Sequence, residues 1–153
     1  MRHANRGKFK LFSAVDCRVG IVVGQFNREI TEQLLESCLA MLDTYGVTQK
    51  NVLVYRVAGS IEIPVILKKF AETGKYDCLI AIGAVIRGET AHFEYVAKIV
   101  SEGVLRIMLD FGLPVGFAIL TTENLAQAKA RVSAGAEAAE AALQNLKIIR
   151  DME

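Results

Sequence analysis

Short apolar runs alternate along this chain with longer stretches in which apolar residues recur at helical spacing. Four of the short runs predict strands, over residues 19–23, 52–57, 78–82 and 115–120. The first, third and fourth runs are almost continuously apolar, which is typical of strands in a parallel sheet that is covered by helices on both faces. The pattern therefore predicts a central parallel sheet of about four strands.

Stretches of helical period fill the gaps between these runs. Apolar residues from 30 to 45 recur on one face of a helix, and Gly46 follows them as a C-cap. Pro64 fits the first turn of a second helix that runs to Gly74. Further helices are predicted over 91–111, from 121–123 onward, and over the alanine-rich tail 134–150. This strand–helix alternation predicts an α/β protein, a right-handed three-layer α/β/α sandwich.

Length and composition favour one domain with a sizeable core. The 153 residues contain no linker, so we predict a single domain over 1–153 that begins with an N-terminal arm, residues 1–17. The apolar share of 52% is high for a monomer of this size, which indicates that copies of the chain bury apolar surface against one another. No apolar run reaches the roughly 18 residues of a membrane span, and the start of the chain lacks a signal-peptide pattern. We therefore expect a cytoplasmic protein that does not bind membranes.

The formal net charge of +1, without a long basic or acidic block, gives no electrostatic reason to expect nucleic acid as a partner. Three cysteines, Cys17, Cys38 and Cys78, are widely spaced among aliphatic neighbours, which is typical of reduced, buried thiols. The two histidines, His3 and His92, are too far apart to form a recognisable zinc motif. We therefore expect small molecules and further copies of this chain as partners, and no metal.

A glycine pattern near the third predicted strand imitates a nucleotide-binding loop. Gly83, Gly88 and Thr90 have the spacing of a P-loop, but Glu89 stands where that loop carries its lysine. A carboxylate there would repel the phosphates that the lysine neutralises. The sequence also lacks a GxGxxG dinucleotide fingerprint and the paired acids of a receiver domain. These classes of nucleotide-binding and signalling protein are therefore excluded.

Polar and glycine-rich segments follow each predicted strand, at the edge of a parallel sheet where ligands bind. These segments are 24–27, 58–62, 83–92 and 121–122. The third segment is predicted to end a strand, turn on glycine and begin a helix. Unpaired N–H groups in the first helical turn and the helix dipole favour a small anion there, and Gly88 permits close approach. We therefore predict chemistry on a small phosphorylated molecule.

Four polar side chains near the predicted helix starts have both a structural and a functional interpretation. His92 is expected one turn inside its helix, where the dipole disfavours the imidazolium, so that the ring can accept a proton. Thr90, Asn27 and Thr122 are typical N-caps, a role that is compatible with ligand binding.

Two further side chains leave alternatives open. Phe26 is either ordinary core or a face on which a flat heterocycle stacks, because it directly follows a strand. Arg131 is a solvated charge, a cation that caps helix carbonyls, or a planar fork that holds phosphate.

Taken together, these segments resemble the lumazine synthase (6,7-dimethyl-8-ribityllumazine synthase) family. The resemblance extends from about Arg18 to Leu146 and lies in Phe26-Asn27, 58–64, 83–96 and 120–124 with Arg131. It implies a flavodoxin-like fold and the condensation of 5-amino-6-ribitylaminopyrimidinedione with 3,4-dihydroxy-2-butanone 4-phosphate, a step of riboflavin biosynthesis that releases phosphate and water. It also implies a transferase without a metal or organic cofactor.

The resemblance implies a role for each site residue. The catalytic residue would be His92, which would shuttle protons. Phe26 would stack on the pyrimidine, main-chain groups at 84–86 would read its edge, and 60–62 would hold the ribityl chain. The substrate-binding residues are then Phe26, Ser60, Ile61, Glu62, Ala84, Val85, Ile86 and Phe117, the last from an adjacent subunit. The phosphate-binding residues are Gly88, Glu89, Thr90 and Arg131.

Assembly and partners are also implied by the family. We expect homopentamers, which can close into an icosahedral shell, an active site shared between subunits, and riboflavin synthase as a partner. The sequence departs from the family pattern at Ala58, usually proline, and at Ile61, usually aromatic.

The more serious departure follows Arg131, where the family's glycine- and lysine-rich loop is missing. This predicts weak binding of the phosphate substrate. It also leaves open two alternatives, a catalytically weak or inactive shell-forming relative that binds flavin or lumazine, and the archaeal kind of riboflavin synthase.

Overall fold

The computed structural model describes residues 5–153; residues 1–4, which include His3, lie outside the described part. The strands are β1 (Val19–Gly24), β2 (Val52–Val57), β3 (Cys78–Ile86) and β4 (Val115–Thr122). The helices are α1 (Arg28–Thr44), α2 (Ile63–Glu72), α3 (His92–Phe111), α4 (Leu125–Lys129) and α5 (Ala134–Met152). Short 3₁₀ turns lie at Gln49–Asn51 and Ser60–Glu62. The predicted α/β alternation is confirmed.

The four strands form one parallel sheet in the order β2-β1-β3-β4. The two central strands, β1 and β3, are buried along almost their whole length, as their continuous apolar sequences predict. β2 is an edge strand and exposes Leu53 and Tyr55. This strand order is that of flavodoxin-like sheets, in which the direction of winding reverses between β1 and β3.

Helices cover both faces of the sheet, which confirms the three-layer prediction. Successive residues of a strand point to opposite faces. Ile21 and Ile80 therefore pack in the core beneath α1 and α5, whereas Val22 and Leu79 pack beneath α2 and α3. The sheet thus lies between two separate apolar cores, and its carboxyl edge is left free.

Two predicted boundaries at that edge are wrong, and so is the predicted position of His92 within its helix. β3 does not stop at residue 82 but continues through Gly83 to Ile86, because it keeps pairing with β4, which itself runs to Thr122. For the same reason, the fourth helix begins at Leu125 instead of within 121–123. α3 begins at His92, so this histidine is the first helical residue and does not lie one turn inside.

Part of the predicted N-terminal arm, residues 1–17, lies outside the described residues. Residues 5–17 contain neither helix nor strand. The Phe12 ring packs edge-on against Tyr45 with centroids 5.2 Å apart, and Gln144 Nε2 donates a hydrogen bond to Lys10 O at 3.0 Å. This segment therefore lies against the chain's own α1–α5 layer.

The chain passes from α4 to α5 through a tight turn that is hydrogen-bonded to Ser37 of α1. Ser37 Oγ lies 2.7 Å from Val132 O and accepts a hydrogen bond from Ala136 N at 3.1 Å. A Cβ at Gly135 would lie only 1.9 Å from Leu34 O, so the start of α5 presses directly on α1. The start of α5 is therefore held directly against α1.

Candidate active site

The ends of three strands and the first turns of α3 enclose a cleft of about 280 Å³. It is lined by Phe26, Asn27, Gly59, Ser60, Ile61, Glu62, Ala84, Val85, Ile86, His92 and Val96. Eight of these are the substrate-binding and catalytic residues expected from the sequence: Phe26, Ser60, Ile61, Glu62, Ala84, Val85, Ile86 and His92. The cleft lies between β1 and β3, where ligands bind in open parallel sheets.

Phe26 presents its ring to solvent, with 72% of its surface exposed. The turn that carries it is held from both sides, since Phe26 N donates to Ala58 O at 3.1 Å and Asn27 Nδ2 donates to Ala84 O at 2.9 Å. A Cβ at Gly59 would lie 3.1 Å from the ring, so the ring packs closely over this glycine. The ring is therefore an exposed face on an anchored turn and not part of the core.

Asn27 corrects the prediction that it caps α1 with its side chain. It occupies the N-cap position, but with φ 55° and ψ 47° and no side-chain cap hydrogen bond. Asparagine tolerates this left-handed conformation better than most residues do. Its amide instead joins the turn after β1 to the end of β3, across the floor of the cleft.

The segment after β2 forms the polar side of the cleft. Glu62 Oε2 accepts a hydrogen bond from Gly59 N at 2.9 Å, which closes the 3₁₀ turn. Ser60 is buried and its Oγ lies 2.5 Å from where a Cβ at Gly83 would stand, while Ile61 is 39% exposed. A hydroxyl, a carboxylate and an apolar side chain therefore occupy three successive positions along this wall.

The predicted phosphate-binding loop follows directly after the cleft. Gly88, Glu89 and Thr90 are exposed, and a Cβ at Gly88 would have no neighbour within 4 Å. Thr90 Oγ1 accepts a hydrogen bond from His92 N at 3.3 Å, although the N-cap position of α3 is held by Ala91. The loop is therefore open to solvent at the start of α3, on the rim of the cleft and beside His92.

Two predicted site residues do not reach this cleft. Arg131 Nη1 donates to Gln127 O at 2.8 Å, so the carbonyl-capping role is the one that the structure shows. Phe117 lies on β4 opposite Ala81, well before the end of the neighbouring strand β3, and it is 45% exposed. Thr122 does not cap α4 either, since Asn124 accepts the hydrogen bond from Gln127 N.

The site residues predicted from the sequence do not include Asn27, Gly59 or Val96, which also line the cleft. Asn27 and Gly59 belong to strand-end segments that the sequence did single out. The signal for Asn27 is its residue type between a strand and a helix, where the backbone must turn sharply. Val96 carries no such signal, because it is one more apolar residue of a helical stripe.

Two titratable side chains line the cleft, His92 and Glu62, and the Glu62 carboxylate already accepts a hydrogen bond from Gly59 N. The three cysteines are free and buried, as predicted. Burial raises the pKa of Cys38 to about 12 and also raises the pKa of Cys78, so these thiols stay protonated at neutral pH. Among residues 5–153, no group of three His, Cys, Asp or Glu side chains is placed to hold a metal ion. No helix in that part of the chain is long and apolar enough to cross a membrane.

Comparison with known proteins gives one consistent result. Residues 16–150 match the family model described as 6,7-dimethyl-8-ribityllumazine synthase. A 6,7-dimethyl-8-ribityllumazine synthase from Paraburkholderia phymatum is 49% identical over 128 residues, which cover 83% of this chain and 74% of the relative. The proteins of the same name from Paraburkholderia phytofirmans and Polaromonas sp. are 49% and 45% identical, over 83% and 88% of this chain and 76% and 88% of the relatives.

Proposed function

The chain belongs to the 6,7-dimethyl-8-ribityllumazine synthase family, and on that premise we propose that it condenses 5-amino-6-ribitylaminopyrimidinedione with 3,4-dihydroxy-2-butanone 4-phosphate. The reaction releases phosphate and water and belongs to riboflavin biosynthesis. The observation that carries the proposal is one cleft, within the matched residues, that combines an exposed aromatic face, a strand end and an imidazole. The protein is therefore an enzyme, a transferase of the condensing type.

The pyrimidine ring would stack on Phe26. Stacking of a heterocycle on an exposed aromatic side chain typically contributes about 1–3 kcal/mol. The main-chain groups of Ala84, Val85 and Ile86 would then read the edge of the ring, and Ser60, Ile61 and Glu62 would hold the ribityl chain. The ribityl hydroxyls suit this wall because each of them both donates and accepts hydrogen bonds.

The phosphate group would bind at Gly88, Glu89 and Thr90. Main-chain N–H groups at the start of α3 and the dipole of this helix favour an anion there. Arg131 does not reach the cleft of its own chain, so it would supply the counter-charge in the shared site of the oligomer; its guanidinium has five N–H donors, and the bond to Gln127 O uses one of them. Glu89 would contribute its main-chain N–H only, with its carboxylate turned to solvent.

The chemistry consists of imine formation, elimination of phosphate, ring closure and dehydration. Each step moves protons, and one of them expels an anion, so the site needs a proton shuttle and an anion pocket but no protein nucleophile. His92, which lines the cleft beside the phosphate loop, would move these protons. A positioned acid–base group typically accelerates such steps roughly 10²- to 10⁴-fold, and alignment of two substrates adds further acceleration.

Assembly completes the proposal. The active site would be shared in a homo-oligomer, a pentamer or an icosahedral shell of pentamers, with Phe117 entering the cleft of a neighbouring copy. Exposed apolar side chains support association, since Tyr95 and Leu109 on α3 are 67% and 73% exposed. We also propose a cytoplasmic location and riboflavin synthase as the partner that consumes the product; both rest on the family alone.

The test is direct. Purified protein is mixed with both substrates and lumazine is followed by its absorbance, with each substrate alone as the control. We expect product only when both are present. Binding of lumazine without turnover would instead identify a non-catalytic binding protein, and riboflavin formed from lumazine alone would identify a riboflavin synthase.

His92 is tested by the same assay. His92→Ala should slow product formation at least about tenfold while the affinity for the pyrimidine stays near normal. An unaltered rate would remove His92 from the mechanism. Light scattering on the wild-type protein measures the assembly separately from the chemistry.

A further inference from the structure

Arg87 contacts both ends of the predicted phosphate-binding loop, residues 88–91, which is called the phosphate loop below. The Arg87 cluster consists of Arg87, Phe93, Glu94 and Glu123. Arg87 Nε donates to Glu123 Oε2 at 2.8 Å, and Nη1 pairs with Glu94 Oε1. The guanidinium carbon lies 4.3 Å from the centroid of the Phe93 ring, in a cation–π contact.

Arg87 and its partners belong to three different parts of the fold. Arg87 itself follows β3 directly, and its main-chain N–H donates to Thr122 O at the end of β4 at 2.9 Å. Phe93 and Glu94 lie in the first turn of α3, beyond the phosphate loop, and Glu123 follows β4. The side chain therefore spans residues 88–91 from outside and fixes the start of α3 against the ends of two strands.

Such a contact has little value as an isolated surface ion pair, because exposed pairs stabilise proteins weakly. The contact matters for geometry, because the planar guanidinium of Arg87 bonds two carboxylates on separate elements and rests on an aromatic ring. In the described part of the chain, one side chain of the phosphate loop makes a hydrogen bond: Thr90 Oγ1 accepts it from His92 N. The position of the loop thus depends mainly on what holds its two ends.

We propose that Arg87 is a positioning residue of the condensation reaction: it sets the first turn of α3 on the end of β3, and through that turn it places the phosphate-binding N–H groups and His92. The inference rests on the proposed function, because it deepens the role of the same site. Arg87 itself does not touch the substrate. Its two carboxylate partners, Glu94 and Glu123, take part in this positioning by holding the guanidinium in place.

Removing one carboxylate charge distinguishes a positioning role from a purely electrostatic one, because the two predict opposite changes in the affinity for phosphate. Three carboxylates, those of Glu89, Glu94 and Glu123, lie on or beside the loop, and they repel a bound phosphate. If their field alone mattered, Glu123→Gln would strengthen the binding of inorganic phosphate, since it removes a negative charge. If Glu123 acts by holding Arg87, the same substitution weakens that binding.

The chain contains a matched control at the other end of the sheet. Arg150 also bridges two carboxylates, those of Asp16 and Asp77 at 3.5 and 3.3 Å, and it is as exposed as Arg87, at 37% against 35%. Asp77 directly precedes β3, whereas Arg87 directly follows it. Arg150→Met therefore removes a similar bridge far from the cleft.

The experiment compares Arg87→Met, Arg87→Lys, Glu123→Gln and Arg150→Met. For Arg87→Met we expect KM for the phosphate substrate to rise about tenfold and kcat to fall about tenfold, because small displacements of positioned groups are costly, with KM for the pyrimidine within about twofold. Arg87→Lys should recover part of this loss, since it keeps the charge without the fork. Arg150→Met should leave both KM values and kcat unchanged.

A second readout does not depend on turnover. Amide hydrogen exchange at residues 88–94 should accelerate in Arg87→Met and in Glu123→Gln, but not in Arg150→Met. If the wild-type protein makes no lumazine, the proposed function fails, while the exchange comparison still tests the fastening of the loop. Tighter inhibition by inorganic phosphate in Glu123→Gln, or unchanged kinetics and exchange in Arg87→Met, would overturn the inference.

Discussion

Gly83 and Ser60 provide a sharp test of how the cleft is packed. Gly83 lies inside β3, directly beneath the turn that carries Ser60. A Cβ at Gly83 would lie 2.5 Å from Ser60 Oγ, 3.1 Å from Ile119 Cδ1 and 3.3 Å from Ile63 Cδ1. The Ser60 contact is impossible as it stands, whereas the two isoleucine contacts are merely tight. Gly83→Ala must therefore displace the Ser60 hydroxyl.

The magnitude follows from these distances. Overpacking a close-packed interior by one methyl group typically costs about 1–3 kcal/mol, and we expect Gly83→Ala to lower the free energy of unfolding by about 2 kcal/mol. Ser60→Ala removes the clashing oxygen and by itself should cost less than about 1 kcal/mol. In the double variant the new methyl group finds room, so we expect about 1 kcal/mol of favourable coupling.

The assay is urea denaturation of the four proteins at one fixed protein concentration, because association contributes to stability. KM for the pyrimidine is measured in parallel and should rise in Gly83→Ala, since the displaced Ser60 hydroxyl is one of the proposed ribityl contacts. Gly88→Ala is the stability control, because its Cβ would meet nothing within 4 Å. Strictly additive losses in the double variant would show that Ser60 does not limit the space at Gly83.

Three further predictions follow from the same structure. Phe26→Ala should raise KM for the pyrimidine about 5- to 150-fold, as expected for the loss of one stacking face, and should hardly change stability because the ring is 72% exposed. Gly135→Ala should destabilise the protein by more than about 2 kcal/mol in urea denaturation, because its Cβ would lie 1.9 Å from a main-chain oxygen that cannot rotate away; helix propensity alone would give a gain of up to about 1 kcal/mol, so greater stability would contradict the packing. KM for the phosphate substrate should exceed the values usual in this family while KM for the pyrimidine stays ordinary, because no lysine-bearing loop separates α4 from α5; ordinary values for both substrates would refute this.

The sequence predicts the fold well because its periodicities are local. Continuous apolar runs and helical stripes identify all four strands and their order of alternation with the helices. The end of β3 is missed because Gly83 looks like a turn, whereas the strand continues by pairing with β4. That pairing joins residues far apart in sequence, so no local pattern reveals it.

In the candidate site, too, some features are predictable from local sequence and others depend on contacts between distant residues. Residues that directly follow strands, such as Phe26 and Ser60, are predictable because parallel strands end at a common edge. The side-chain partners of Arg87 are not, since a long side chain selects its partner by proximity in the folded chain. Glu123 lies 36 residues beyond Arg87 in the sequence, and nothing around either residue indicates their contact.

The strand end that lines the cleft has a consequence for how this enzyme can change. Ala84 and Val85 are 3% and 8% exposed, with their side chains in the cores on opposite faces of the sheet, so what they offer a ligand is peptide groups. Every amino acid except proline supplies the same peptide groups. Substitutions at these positions are therefore limited by the side-chain volume that the cores accept and not by the contacts with the ligand. Laboratory evolution toward other heterocycles should therefore diversify exposed positions such as Phe26 and Ile61, and leave this strand as a constant template.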